Sequence, residues 1–166
     1  TRKESSAASD VYKRQALEDL GLPWQEKADV FTVTLPGEHK LQTECALVLD
    51  AHSLQVRAFV ARHPDENHLE VYRWLLERNL KTYVVAFSVD HQGDIHLTGR
   101  ISREAVIPAE VDRLLGAVAE AADSSFNSIL ELGFASAIRK EWQWRLDRGE
   151  STHNLAAFEH LRPDAT

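Results

Sequence analysis

CALVLDAHSLQVRAFVARHPDENHLEVYRWLLERNLKTYVVAFSVDHQGDIHLTGRI, residues 45–101, changes its hydrophobic period twice, and those changes decide the fold class. Cys45, Leu47 and Leu49 alternate with Ala46 and Val48; Leu54, Val56, Ala58 and Val60 alternate with Gln55, Arg57, Phe59 and Ala61. Side chains on a strand point to opposite faces in turn, so a period of two predicts half-buried strands. After His63-Pro64 the period lengthens. Leu69, Tyr72, Leu75, Leu76 and Leu80 recur at three and four residues, which predicts one buried helical face. Pro64 suits the first turn of that helix, and Asp65 and Glu66 suit its positive end. The period returns to two at Tyr83, Val85, Phe87 and Val89, and again at Ile95, Leu97, Gly99 and Ile101, with Asp90 to Asp94 as the hairpin loop between them.

Working outward, Phe31, Val33 and Leu35 alternate with Thr32 and Thr34 until Pro36-Gly37 breaks the run. Ala16 to Leu22 reads as the last turns of a helix stopped by Gly21 and Pro23, with Trp24 in the loop that follows. Downstream, Pro108 opens a long helix with Val111, Leu114, Leu115, Val118, Ala122, Ile129 and Leu130 on its stripe, expected to kink near Ser124-Ser125 and to stop at Gly133. Ala135 to Arg148 forms another helix ended by Gly149, and Ser151 caps a short final one. Tight links join antiparallel neighbours. The expected fold is therefore α+β, a five-stranded mostly antiparallel sheet with helices packed on one face, plus extra C-terminal helices.

The 166 residues suit one domain able to bury roughly 70% of its unfolded surface without metal or disulfide. Cys45 stands alone, in a strand pattern where a buried inert thiol is expected. A formal charge of −7 argues against nucleic acid, whose affinity comes mainly from lysine and arginine on phosphates. No apolar run is long enough for a membrane span, so cytoplasm is expected and no membrane partner.

The opening segment reads differently. Ser5 to Gln15, SSAASDVYKRQ, is codon for codon the translation of a transposase-library sequencing adapter, and the chain contains no methionine. Residues 1–15 are expected to be foreign, with one native domain over 16–162 and a tail over 163–166.

Three blocks, PDENHLEVYRWLLERN (64–79), VAFSVDHQGDIHLTGRI (85–101) and SFNSILELGFASAIRKEW (125–142), resemble the YbjN-domain family, particularly its actinobacterial members. That family is similar in fold to type III secretion chaperones and is labelled as sensory transduction regulators. The resemblance implies a commonly dimeric, non-enzymatic module that binds protein, either itself or a client polypeptide.

Candidate chemistry gives no competing reading. His63 and His68 are five apart and lack the register that turns two imidazoles onto one helical face, and His91 and His96 flank a turn; no metal and no cofactor is expected. Asp65, Glu66 and His68 are near neighbours in sequence without convergence on a substrate. The aromatics say more. Trp74 lies about 160° from Leu76 on the helical wheel, and Trp142 and Trp144 are about 200° apart, so one core cannot easily take both. Tryptophan and arginine contribute disproportionately to protein interfaces. The candidate interface residues are therefore Arg57, Phe59 and Arg100 on the outward sheet face, Arg73 and Trp74 on the central helix, and Arg139, Trp142, Trp144 and Arg145 near the C-terminus. The alternatives are a domain sensing a small ligand between sheet and helices, and an enzyme.

Overall fold

The computed structural model describes residues 2–164; Thr1 of the opening segment and Ala165 and Thr166 of the expected tail lie outside them. The elements run α1 (Arg2–Leu20), β1 (Trp24–Lys27), β2 (Val30–Pro36), β3 (Gln42–Leu49), β4 (Ser53–Ala61), α2 (His68–Asn79), β5 (Val85–Val89), β6 (Ile95–Ser102), α3 (Pro108–Gly133) and α4 (Ala135–Arg148), closed by a 3₁₀ segment His153–Leu161. All neighbouring strands pair antiparallel, in the order β1-β2-β3-β4-β6-β5. The sheet has six strands rather than the five expected. The additional one, β1, reads WQEK and carries no apolar alternation. It joins β2 through Ala28 and Asp29, both at positive φ, a two-residue hairpin without the usual Asn-Gly signature. Trp24, expected in a loop, opens this strand and stacks on Phe31 at 5.8 Å.

The period-two residues fulfil their pattern. Phe31, Val33, Leu35, Cys45, Leu47, Leu54, Val56, Ala58, Val85, Phe87, Ile95 and Leu97 turn to one face and are buried there. Burial pushes the Cys45 thiol up to about 12, helped by the charge of Glu44, so it stays protonated. Across this face lies α3, which buries Val111, Leu114, Leu115, Val118, Ala122 and Ile129. The helix runs unbroken through Ser124 and Ser125, where a kink was expected, because Ser125 is small enough to face the core.

The α2 expectation is corrected in two respects. The helix starts at His68, after Asn67 in left-handed conformation, so Asp65 and Glu66 precede it. Asp65 is taken by Arg62 at 2.6 Å, while Glu66 accepts from the Ser136 N–H at 2.6 Å and serves the positive end of α4 instead. The buried stripe is Val71 and Leu75, whereas Leu69, Leu76 and Leu80 face solvent. Trp74, placed off the stripe by sequence, is half-buried against the core. At the end of α2, the Asn79 amide accepts from Phe87 N–H at 2.7 Å and donates to Phe87 C=O at 3.2 Å, covering part of the free edge of β5.

Two loops are pinned by aspartates. In the β5–β6 turn, Asp90 accepts from the Gln92 and Asp94 N–H groups, and Gly93 sits at φ 88 where an added Cβ would collide with the His63 ring. In the β2–β3 loop, Asp123 of α3 accepts from the N–H groups of His39 at 2.7 Å and Lys40 at 2.9 Å and from the His39 ring at 3.1 Å. Desolvation opposes the Asp123 charge, but these donors together hold its carboxyl below the ordinary carboxylate range. A lowered folded-state value stabilises above the unfolded pKa, about 4, and the contribution is lost as pH falls through the lower value. Asp123→Ala is expected to cost about 1–3 kcal/mol at pH 7 in denaturant titration, and to flatten the acid limb of the stability profile. An unchanged acid limb would remove the clamp from the account.

No break in α1 marks residue 15. Lys13, within the segment expected to be foreign, is fully buried. Its ammonium stands 4.1 Å from the centre of the Phe31 ring and 2.7 Å from Asp10 without the alignment of a hydrogen bond. An apolar side chain fits this slot better than a cation. Lys13→Leu is expected to gain about 1 kcal/mol, roughly 2–4 °C in unfolding midpoint; a drop would mean that the ion pair outweighs the desolvation.

Candidate protein-binding surfaces

The nine candidate residues fall on three surfaces. Arg57, Phe59 and Arg100 share the outer face of the sheet, which no helix covers among the described residues. Cross-strand register explains their grouping: Arg57 opposes Ala46 and Thr98, Phe59 opposes His96, and Arg100 opposes Gln55. The face is a groove of about 650 Å³, floored by Ala46, Val48, Ser88 and Thr98 and bordered by the two arginines. A polar cluster closes one end. The Asp90 carboxylate takes a hydrogen bond from the His96 ring at 3.0 Å and lies 3.4 Å from the Arg57 guanidinium, while Phe59 meets His96 edge-on at 5.6 Å. Desolvation works against the Asp90 charge, but the Asp94 N–H, His96 and the Gln92 N–H keep its carboxyl below the usual range. Arg100 reaches Gln55 at 3.3 Å and is otherwise exposed.

On α2, Arg73 is exposed beside Glu77 at 3.9 Å, and Trp74 lies under the Arg78 guanidinium at 5.7 Å. Arg73 stands among Leu69, Leu76 and Leu80, which are 76%, 68% and 88% exposed. Sequence reading placed these leucines in the core. The signal that separates them was present: at 100° per residue their mean direction is about 140° from that of Val71 and Leu75, so α2 carries two apolar stripes rather than one.

On α4 the pair of tryptophans divides. Trp144 is 43% exposed under the Arg148 guanidinium at 4.6 Å. Trp142 is sealed at 1% in a small second core with Ile138, Leu155, Phe158 and Leu161, so the free chain does not present it at an open surface. The closing 3₁₀ segment covers it. Arg145 is held by Glu141 at 2.6 Å and the Ser151 carbonyl at 2.9 Å, and Arg139 is exposed. The Gly149 turn ends α4 with φ 64 and the Glu150 N–H bonded to the Arg145 carbonyl, as a left-handed cap requires.

The candidate acid–base trio does not converge: Asp65 serves Arg62, Glu66 serves Ser136, and His68 meets the Pro64 carbonyl. His63 and His68 do come together, with ring centres 4.8 Å apart. Among the described residues no group of three or more His, Cys, Asp or Glu is placed to hold a metal, and no helix is long and apolar enough to cross a membrane.

The sequence profile of the YbjN family, described as "Putative bacterial sensory transduction regulator", matches residues 14–131. This chain belongs to the YbjN family. A Mycobacterium tuberculosis protein (strain ATCC 25618 / H37Rv) is 56% identical over 131 residues, 79% of this chain and 72% of its own length. A Mycobacterium leprae protein is 54% identical over 132 residues, 80% of this chain and 72% of its own. The fold is shared at low identity with solved structures. A chain of the ExsC–ExsE complex superposes with TM-score 0.53 at 16% identity, covering 75% of this chain and 95% of that one. YbjN from E. coli gives 0.50 at 16%, covering 68% and 86%. The antiparallel α+β layer implied by the resemblance is therefore the fold found, with one more strand and with α4 and the closing segment lying beyond the matched family region.

The two tryptophans of α4 make opposite predictions. Trp142→Ala should cost about 3–5 kcal/mol by emptying a packed site. Trp144→Ala should cost less than about 1 kcal/mol, the scale of an exposed cation–π contact. Equal costs in urea titrations would contradict the division of labour drawn from their burial.

Proposed function

We propose that this chain is a non-enzymatic protein-binding module, regulatory or chaperone-like, that works as a homodimer in the cytoplasm and holds a client polypeptide against its open sheet face. The observation that carries the reading is the row of Leu69, Leu76 and Leu80 standing in water on α2. Burying three leucines between copies recovers roughly 1.5–3 kcal/mol each for full burial. The ridge is self-complementary. Two α2 helices laid antiparallel, with Leu69 of one opposite Leu80 of a second copy, put Arg73 near the other helix's Glu77. An isologous contact of this kind is what a two-fold dimer needs. Client binding is supported by the uncovered outer face, where Arg57 and Arg100 offer forked donors for carboxylates beside the exposed ring of Phe59. One fold neighbour is itself part of a complex of two proteins, which agrees with this reading. Arg139, Trp144 and Arg148 on α4 form a further exposed aromatic and basic rim available to a client.

We also propose that residues 1–15 are foreign and that the native domain begins near Ala16. The adapter translation supports this, and so does the cation it places at the buried position 13.

Sedimentation equilibrium at micromolar concentration is expected to give a dimer. Leu76→Glu combined with Leu80→Glu should convert it to a monomer while the far-ultraviolet dichroism is retained. A monomeric wild-type chain, or a double variant that stays dimeric, would reject the α2 interface. Arg57→Glu and Phe59→Ala should reduce client capture from a host lysate and leave the dimer intact.

A further inference from the structure

A second groove adjoins the open sheet face at Phe59, whose ring borders both. It lies where the end of β4 and α3 meet α4 and the closing 3₁₀ segment, and it measures about 470 Å³. Its walls are apolar: Phe59, Phe126, Leu130, Ile138 and Leu155 dominate them. Ile138 and Leu155 come from elements beyond the matched family region, whereas Lys40, Phe59, Phe126 and Leu130 lie within it, so the cleft forms where the C-terminal segment meets the shared sheet and α3.

One end of the groove is charged in an unusual way. Lys40 reaches over the Phe126 ring at 5.1 Å and the Phe59 ring at 5.9 Å. Its backbone N–H is held by the Asp123 carboxylate at 2.9 Å. Among the described residues its ammonium is within reach of no carboxylate, although half-buried, and burial pulls its pKa down. The other charges on the rim are already committed. Arg62 is bonded to Asp65 and stacked on Phe134 at 4.5 Å, and Glu141 holds Arg145. A partly desolvated cation at an apolar cleft, whose one lining carboxylate, Glu141, is already taken by Arg145, is complementary to an anion with an apolar tail.

We infer that this groove binds a small amphipathic monocarboxylate, its head group on the Lys40 ammonium and its hydrocarbon along Phe126, Leu130, Ile138 and Leu155. Size favours a small molecule over a polypeptide helix. A single helical turn about 10 Å across and 5.4 Å high fills roughly 420 Å³, so the groove would take one turn of helix, too little to bury an apolar stripe. The volume falls within the range of roughly 300–1,000 Å³ usual for small-ligand clefts.

Calorimetric titration of the full chain with dodecanoate, dodecanol and dodecyltrimethylammonium tests the assignment. Dodecanoate is expected to bind one per chain and at least about tenfold more tightly than dodecanol, the effect of one charge-assisted hydrogen bond, with the cationic amphiphile weakest. Lys40→Gln should remove that preference while leaving dodecanol binding unchanged, and Lys40→Arg should restore most of it. Ala137→Trp, at an exposed position on the groove wall, should block both ligands without lowering the unfolding midpoint. Equal affinity for dodecanoate and dodecanol, or a Lys40→Gln variant that keeps the preference, would overturn the proposal. Lys40-dependent binding of an acidic amphipathic peptide in the absence of dodecanoate binding would overturn it as well, in favour of a polypeptide occupant. Neither result would bear on the α2 dimer, which uses different residues.

Discussion

The apolar stripe of α3, from Val111 to Ile129, lies against one face of the sheet, and removing that contact from water is the largest favourable term available to the fold. Because the helices occupy a single face, every strand must alternate buried and exposed positions. The outer positions of β3, β4 and β6 then remain in solvent with whatever side chains they carry. In this chain those are Val48, Arg57, Phe59, Thr98 and Arg100. The open groove is thus a direct result of one-sided packing.

Hydrogen-bonded aspartates and an asparagine turn this two-layer arrangement into a rigid frame. Asp90 closes the β5–β6 turn, Asp123 fastens the β2–β3 loop to α3, and Asn79 occupies part of the edge of β5. Each ties together segments that apolar burial alone would leave free to slide, and the edge contact leaves less of the sheet open to unwanted strand pairing. Lys40 and the Asp90–His96–Arg57 cluster owe their placement to these clamps.

The C-terminal part forms a second, smaller core around Trp142, adjoining the first through Leu130. Glu66, ahead of α2, bonds to the start of α4, so the extension is tied to the sheet domain by a polar contact as well as by packing. Between the two cores lies the apolar groove that ends at Lys40.

Period alone determined a great deal here. The alternation in residues 30–61 and 83–102 yields five of the six strands, their inward faces and the one-sided sheet, because a half-buried strand has no other way to separate apolar from polar side chains. The resemblance in the three quoted blocks led correctly to the YbjN family. Edge strand β1 was illegible, since a short charged strand gains its stability from pairing with β2 and not from burial of its own side chains. Only tertiary structure decided which of the two stripes of α2 faces the core: Val71 and Leu75 meet α3 and the sheet, while three leucines of equal hydrophobicity are left outside. It also decided that Trp142 is sealed and Trp144 open, because a helical wheel gives directions but not the position of the segment that covers one of them. Lys40 became a candidate ligand group only when α4 and the closing segment, nearly a hundred residues downstream or more, walled the space in front of it. Local sequence sets which faces exist; the partner each face meets depends on contacts between segments far apart in the chain.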